Sequence, residues 1–281
     1  MRFAVVTIAP ARFGHWRAFE EVAETLQAAL EELGHDVARV QNEFPRDRRH
    51  IVLGANLLPL FGGVAPPGEA ILFNLEQVAE GSPWWNPQYL LLLGRQPVWD
   101  YSRANIARLA ALGVPGAQHV PLGYVPQLTR IAAAPKDIDV LFYGVGNERR
   151  ERVLRELRAS GVRLQAVNGV YGAARDALIA RARIVLNMHA YPSKLFEIVR
   201  VGYLLANRAF VVSELSTETE VERELAGGYA AAPYEGLCAA CLRYLQDTPA
   251  RERIAARGFE LFSARRQSDL LAPALARLEA A

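Results

Sequence analysis

The feature that most constrains this chain is an alternation of short apolar runs with amphipathic segments, carried through twice. Residues 2–8, 36–40, 51–55, 70–74, 97–101 and 118–122 read as strands. Between the first two, residues 16–33 place Val22, Leu26, Ala29, Leu30 and Leu33 at helical spacing, with Gly34 as the stop. A second helix is predicted over 103–112, capped by Ser102 and closed by Gly113. Ala132-Ala133-Ala134-Pro135-Lys136 then breaks the pattern as a linker. Beyond it strands are predicted at 139–143, 163–167, 183–188 and 210–213, and helices at 148–160, at 173–182 and after residue 193. The remainder from Ser216 reads as mostly helical. Strands that alternate with helices form parallel sheets, because the helix is the crossover that returns the chain to the same end. The expected fold class is therefore α/β, with two Rossmann-like domains facing each other across a cleft. The expected boundaries are 1–131 for the N-terminal domain and 137–265 for the C-terminal one. Residues 266–281 form a last helix, expected to pack back on the first domain.

A hydrophobic fraction of 51% over 281 residues supplies two cores. Net charge is +2, which gives no indication of a nucleic-acid partner. No uninterrupted apolar run approaches the roughly 18 residues of a membrane span, and MRFAVVTIAP reads as a first strand rather than a leader. The two cysteines, Cys238 and Cys241, sit in a predicted helix, GLCAACLRYL, as packing residues. Two thiols do not complete a zinc site, and a reduced, cytoplasmic protein is expected.

Parallel sheets take ligands at the carboxyl ends of their strands, so the loops there hold the candidate residues. Tyr143-Gly144-Val145-Gly146-Asn147-Glu148-Arg149-Arg150 follows one strand. Its glycines let backbone approach a phosphate, with Arg149 alongside. The third glycine of a dinucleotide fingerprint is missing, as is the acid that would close the next strand, which argues against NAD. After that next strand, Tyr171 and Gly172 are placed to border a nucleobase. The third loop, HAYPSKLFE (189–197), holds one of only two lysines in a chain with thirty arginines. Pro192-Ser193 reads as a helix start with Ser193 as cap, which puts Lys194 on the first helical turn and one face with Glu197. A cation there is disfavoured by the helix dipole unless an anion joins it. Lys194 is thus read as a phosphate ligand, and Glu197 as an acceptor for ribose hydroxyls. Asp137-Ile138-Asp139 precedes a strand instead of ending one and is read as linker, with no metal site expected. In the first half, Glu76 and the adjacent Trp84 and Trp85 offer a surface on which an acceptor molecule can stack.

These stretches resemble the nucleotide-binding domain of GT-B glycosyltransferases: the turn at 143–146, the loop and helix from Tyr171, and the run Ser193-Lys194-Leu195-Phe196-Glu197 leading to Phe210-Val211-Val212-Ser213. Val120-Pro121-Leu122-Gly123-Tyr124 is similar to the segment that enters the interdomain linker of these enzymes. The resemblance covers most of residues 97–265. It implies an EX7E arrangement in which Glu197 holds the donor ribose. His189 stands where the first glutamate would be, so the motif reads HX7E, and His189 is expected to meet a phosphate or the donor sugar. Gly14-His15 is similar to a loop of some inverting members, which implies His15 as a base. The two halves therefore imply different stereochemistry. The expected function is metal-independent, hexosyltransferase-like transfer of a sugar from a nucleoside-diphosphate sugar, such as a UDP-sugar, with no cofactor. The acceptor is a saccharide, a protein or a small molecule. Two alternatives stay open: a non-catalytic nucleotide- or partner-binding module of this fold, and a sugar-nucleotide epimerase.

Overall fold

A computed structural model describes residues 1–78, 82, 84–217 and 219–280. It begins with β1 (Arg2–Thr7), α1 (Glu20–Glu32), β2 (Asp36–Gln41), β3 (Arg49–Leu53), α2 (Leu58–Phe61) and β4 (Ile71–Asn74). Then come α3 (Pro87–Leu93), β5 (Val98–Asp100), α4 (Arg103–Ala111) and β6 (Gln118–His119). The six strands make one all-parallel sheet in the order β2-β1-β3-β4-β5-β6. The central strands are near-continuous apolar runs because helices cover both faces. Phe3, Val5, Ile51, Leu53, Ile71 and Trp99 are buried, with Leu26 and Leu30 of α1 packed into the same core.

The second set is β7 (Ile138–Tyr143), α5 (Glu148–Ala159), β8 (Leu164–Val167), α6 (Gly172–Arg181), β9 (Ala182–Asn187), α7 (Ile198–Ala206) and β10 (Val211–Glu214). It continues with α8 (Thr219–Glu224), β11 (Ala230–Ala232), α9 (Leu237–Leu245) and α10 (Thr248–Ser263). This sheet is also all-parallel, in the order β11-β10-β9-β7-β8. Its core joins Val140, Phe142, Ile184, Leu186 and Val212 to Leu154 and Leu157 of α5 and Cys238 and Cys241 of α9. Burial pushes the Cys241 thiol up to about 12, so it is an inert packing group.

The chain divides into two compact units, residues 1–127 with 265–281, and residues 128–264. After unit 2 the chain rejoins unit 1 through α11 (Gln267–Ala280), which packs on α1. The return is pinned by Gln267, whose Oε1 accepts from the Gly123 backbone N–H at 2.6 Å and whose own N–H donates to the Tyr124 carbonyl at 2.9 Å. No helix among the described residues is long and apolar enough to cross a membrane.

Two expectations need correction, and the mostly helical tail gains a detail. The segment predicted as one helix over 16–33 starts as a 3-10 turn, Gly14–Phe19, before α1. The mostly helical tail contains a strand, β11, made of three alanines that carry no strand signal of their own. The helix expected after Ser193 begins only at Ile198.

Gly258 lets α10 approach its neighbours. A Cβ there would overlap the Gly228 carbonyl oxygen and lie 2.8 Å from Leu205 Cδ2. Helix propensity alone favours Gly258→Ala by about 1 kcal/mol. We expect the clash to outweigh it, with a net loss of about 1–3 kcal/mol in urea unfolding. A stabilised variant would show that α10 has room to shift.

Candidate functional site

In unit 2 the chain runs from β7 to β8 on one side, then returns to place β9 on the other. Ligand crevices in open α/β sheets form where strand order reverses, here between the carboxyl ends of β7 and β9. Two loops border it, 144–147 and 188–197. One side chain ties them together. Arg150 is 3% exposed and donates from Nη1 to the Val145 carbonyl at 2.7 Å and from Nη2 to the Met188 carbonyl at 2.5 Å. Its Nη2 also reaches Glu197 Oε1 at 3.4 Å. Asn147 repeats the link: its Oδ1 caps α5 by accepting from Arg150 N–H at 2.8 Å, and its Nδ2 donates to the Ala190 carbonyl at 3.1 Å.

Two carboxylates and three further cations complete the group. Glu197 pairs with Arg200 Nη1 at 2.8 Å as well as with Arg150. Glu214, 1% exposed at the end of β10, takes both Nη groups of Arg149, the His189 backbone N–H at 3.1 Å and, at 3.6 Å, Lys194 Nζ. Burial alone would raise the Glu214 carboxyl, but the Arg149 and His189 hydrogen bonds outweigh it and hold it below its ordinary range. Arg149 also lies over the Tyr234 ring, 3.9 Å from its centroid. Four cations thus face two carboxylates, which leaves an excess of positive charge in the crevice.

The structure brings Gly144, Arg149, His189, Lys194 and Glu197 to this crevice. Gly144 has φ +143, which favours glycine, and a Cβ there would lie 3.0 Å from Arg200 Nη2 and press on the guanidinium. Gly146 is exposed in the same turn. Tyr171 precedes α6 and Gly172 opens it with φ +55. Burial raises the Tyr171 hydroxyl, and the charges of Arg200 and Arg175 oppose that, so the ring lies within their field. Ser193 does not cap a helix and Lys194 is not on a first turn. Residues 192–193 form a turn, Lys194 has φ +46, and Glu197 itself occupies the position before α7. The bend is held by Thr217, whose N–H and Oγ1 donate to the Lys194 and Ser193 carbonyls at 2.9 and 2.6 Å. A non-glycine residue at that φ is strained by about 1–3 kcal/mol, which the surrounding bonds must offset.

His189 is fully buried, and neither ring nitrogen makes a hydrogen bond of good geometry among the described residues. Burial lowers its pKa; Glu197, Glu214 and the nearby Leu215 backbone resist only in part, so the ring is neutral near pH 7. The site residues that sequence reasoning missed are Arg150, Arg200 and Glu214. The spacing of three between Arg200 and Glu197 and the place of Glu214 at a strand end are the available signals, and neither singles the residue out.

In unit 1 the reversal lies between β1 and β3. His15 falls in the 3-10 turn after β1, its ring 5.1 Å from Phe13. Phe13 also meets Phe61 at 4.7 Å and Trp84 at 5.7 Å. Trp85 is turned inward, with Nε1 donating to the Gln77 carbonyl and its ring 5.4 Å from Tyr89. Glu76 follows β4 in a loop clamped by amides. Its carbonyl accepts from Asn74 Nδ2 at 2.9 Å and from Asn105 Nδ2 at 3.0 Å. Asn74 and Asn105 are in turn held by the fully buried Asp100, at 2.6 and 3.1 Å. Among the described residues the Glu76 carboxyl accepts from Asn56 Nδ2, at 3.4 Å, and burial pushes its pKa up to about 7. The expected linker acids are structural: Asp137 pairs with Arg181 at 2.6 Å and Asp139 with Arg163 at 2.8 Å.

No protein-family model matches the chain. An uncharacterised protein of Acanthamoeba polyphaga mimivirus is 30% identical over 131 residues, 42% of this chain and 40% of that protein. A second uncharacterised protein of the same virus is 34% identical over 56 residues, 20% of this chain and 6% of that protein. The chain spans less than half the length of these curated relatives. Among solved structures, sucrose-phosphate synthase from Thermosynechococcus elongatus matches with a TM-score of 0.61 at 13% identity, over 99% of this chain and 98% of that one. HepE of Anabaena, solved with UDP-glucose, gives 0.61 at 11% identity, over 99% and 100% of the two chains. AviGT4, a glycosyltransferase of avilamycin A biosynthesis, gives 0.53 at 16% identity, over 98% and 96%. These likenesses establish the fold class: two all-parallel α/β sheets of the GT-B type, the fold of these glycosyltransferases.

The Glu76 carboxyl gives a signed test. A carboxyl raised in the folded state binds its proton more tightly there, so its contribution to stability is present at acid pH and lost as pH rises from about 4.5 to about 7. Glu76→Gln carries no such proton. Relative to wild type it should gain stability across that window, on the order of 2 kcal/mol by pH 8, a value discounted because Glu76 keeps some exposed surface. Urea unfolding at pH 4.5 and pH 8 reads it, and a difference that ignores pH would show that Glu76 does not titrate this way.

Proposed function

We propose that the protein is a glycosyltransferase that moves a sugar from a nucleoside-diphosphate sugar to an acceptor. The observation that carries this reading is the cation-rich crevice at the strand-order reversal of unit 2, with Glu197 on its rim. A diphosphate balances its excess positive charge, and a glycine turn lets backbone come close. The binding of UDP and UDP-glucose by HepE, which has this fold, supports the same ligand class.

In this reading Arg149, Lys194 and the turn at Gly144 and Gly146 face the diphosphate, with Ser193 shaping the bend that carries Lys194. Glu197 keeps acceptor capacity for ribose hydroxyls beyond its two arginines, since a carboxylate offers about four lone-pair sites. Tyr171 and Gly172 border the base. The bond from the sugar's anomeric carbon to the diphosphate breaks, and its electron pair leaves with the diphosphate. An acceptor oxygen bonds to that carbon and gives up its proton. Arginine and lysine side chains stabilise the leaving charge without a metal. His189, neutral and adjacent, serves as a hydrogen-bonding group toward the donor. Unit 1 presents His15, Glu76 and Trp84 for the acceptor, with His15 as the candidate base.

Calorimetry with UDP, GDP, dTDP and NAD tests the reading. One nucleoside diphosphate should bind and NAD should not. Glu197→Gln should weaken that binding at least tenfold, about 1.4 kcal/mol. If no nucleoside diphosphate binds a folded wild type, the reading is wrong.

A further inference from the structure

Arg200 occupies an unfavourable place. It lies in the first turn of α7, where the positive end of the helix repels a cation. Three groups hold it there: Glu197 at 2.8 Å, Asn187 Oδ1 at 3.1 Å, and the Tyr143 ring with its centroid 5.2 Å away. Both polar bonds use Nη1. Among the described residues Nη2 donates to nothing, although it stands beside Gly144 at the mouth of the β7–β9 crevice. The side chain is 19% exposed, and Nη2 is the nitrogen beside the Gly144 turn. Arg150, with 3% exposure, is closed off by its carbonyl partners and cannot play the same part.

A guanidinium fixed on one side and open on the other is pre-organised for an anion, because its planar fork loses little freedom when a second pair of bonds forms. Resting on the nucleotide reading above, we propose that Arg200 is a direct phosphate ligand of this site and sets its demand for a diphosphate. Gly144 belongs to the same device, since any side chain there would press on Nη2. Phosphate oxygens answer the open edge, while Glu197 remains with the ribose.

The test compares wild type, Arg200→Lys and Arg200→Gln by calorimetry, using the nucleoside diphosphate that wild type binds and inorganic pyrophosphate as its competitor. Pyrophosphate has no ribose, so it separates a phosphate role from an effect passed through Glu197. The glutamine variant should bind both ligands at least thirtyfold more weakly, in similar proportion. The lysine variant, which keeps charge and loses the fork, should fall between. If the glutamine variant does not fold, the lysine variant alone decides, with a loss of fivefold or more for both ligands. The proposal is overturned if pyrophosphate fails to compete in wild type, if the nucleotide weakens and pyrophosphate does not, or if neither changes. A wild type that binds no nucleoside diphosphate fails the functional reading itself, before Arg200 is reached.

Discussion

The crevice of unit 2 depends on one buried guanidinium. Arg150 leaves α5, yet its bonds go to Val145 in one loop and Met188 in the other, with Glu197 beyond. Burial lowers its pKa, with Glu197 opposing that and Arg200 adding to it, so this permanently charged group needs the partners that surround it. Its Nε, buried with no partner among the described residues, shows how fully the remaining donors are committed. Removing one member of a buried ionic arrangement strands the others, at about 3–5 kcal/mol. What the arrangement visibly does is positional. It fixes where two otherwise irregular loops must lie, and the accessible cations, Arg149, Lys194 and Arg200, inherit their positions from it.

Helix α7 carries that order away from the crevice. Glu197 and Arg200 stand at its start, and Asn207 follows its last turn. The Asn207 side chain accepts from the Arg130 and Ile131 N–H groups, both at 2.9 Å, and donates to the Leu128 carbonyl at 2.8 Å. Thr129 Oγ1 adds a bond to the Ala206 carbonyl at 2.8 Å. The segment by which the chain enters unit 2 is thus fastened to the far end of the helix that holds the ligand-facing ion pair. The helix between is almost wholly buried, and Gly202 packs so closely on Phe262 that a Cβ there would come within 2.6 Å of the ring. A rigid, buried helix of this kind keeps the two ends in a fixed relation.

Much of the architecture was legible in the sequence because parallel strands covered on both faces must be apolar throughout, and Ser102 announces its helix start by accepting from the Asn105 N–H at 3.2 Å. The loops were legible as places, since strand ends are where ligands bind. Their internal geometry was not. Pro192-Ser193 has the composition of a helix start, but the left-handed turn at Lys194 and the bonds from Thr217, 23 residues later, override it. Arg150 and Arg200 were hidden among thirty arginines, because burial, and not residue type, singles them out. Glu214 was hidden for a related reason: nothing in Ser213-Glu214-Leu215 says that three separate groups will converge on one carboxylate.

Glu76 and Glu197 show the same limit from the opposite side. Each follows an apolar stretch at a loop near a strand end, and each reads as a ligand-facing carboxylate. Folding gives them contrary electrostatics. Glu197 lies between two guanidinium groups, at 3.4 Å from Arg150 and 2.8 Å from Arg200. Glu76 has an amide for company and is driven toward its protonated form near neutral pH. A carboxylate paired with cations still offers lone pairs to hydroxyls. A carboxyl that changes state near pH 7 can also give or take a proton. The difference comes from which cations the loops bring into reach, so the chemical roles of the two residues are properties of the fold before they are properties of the residue type.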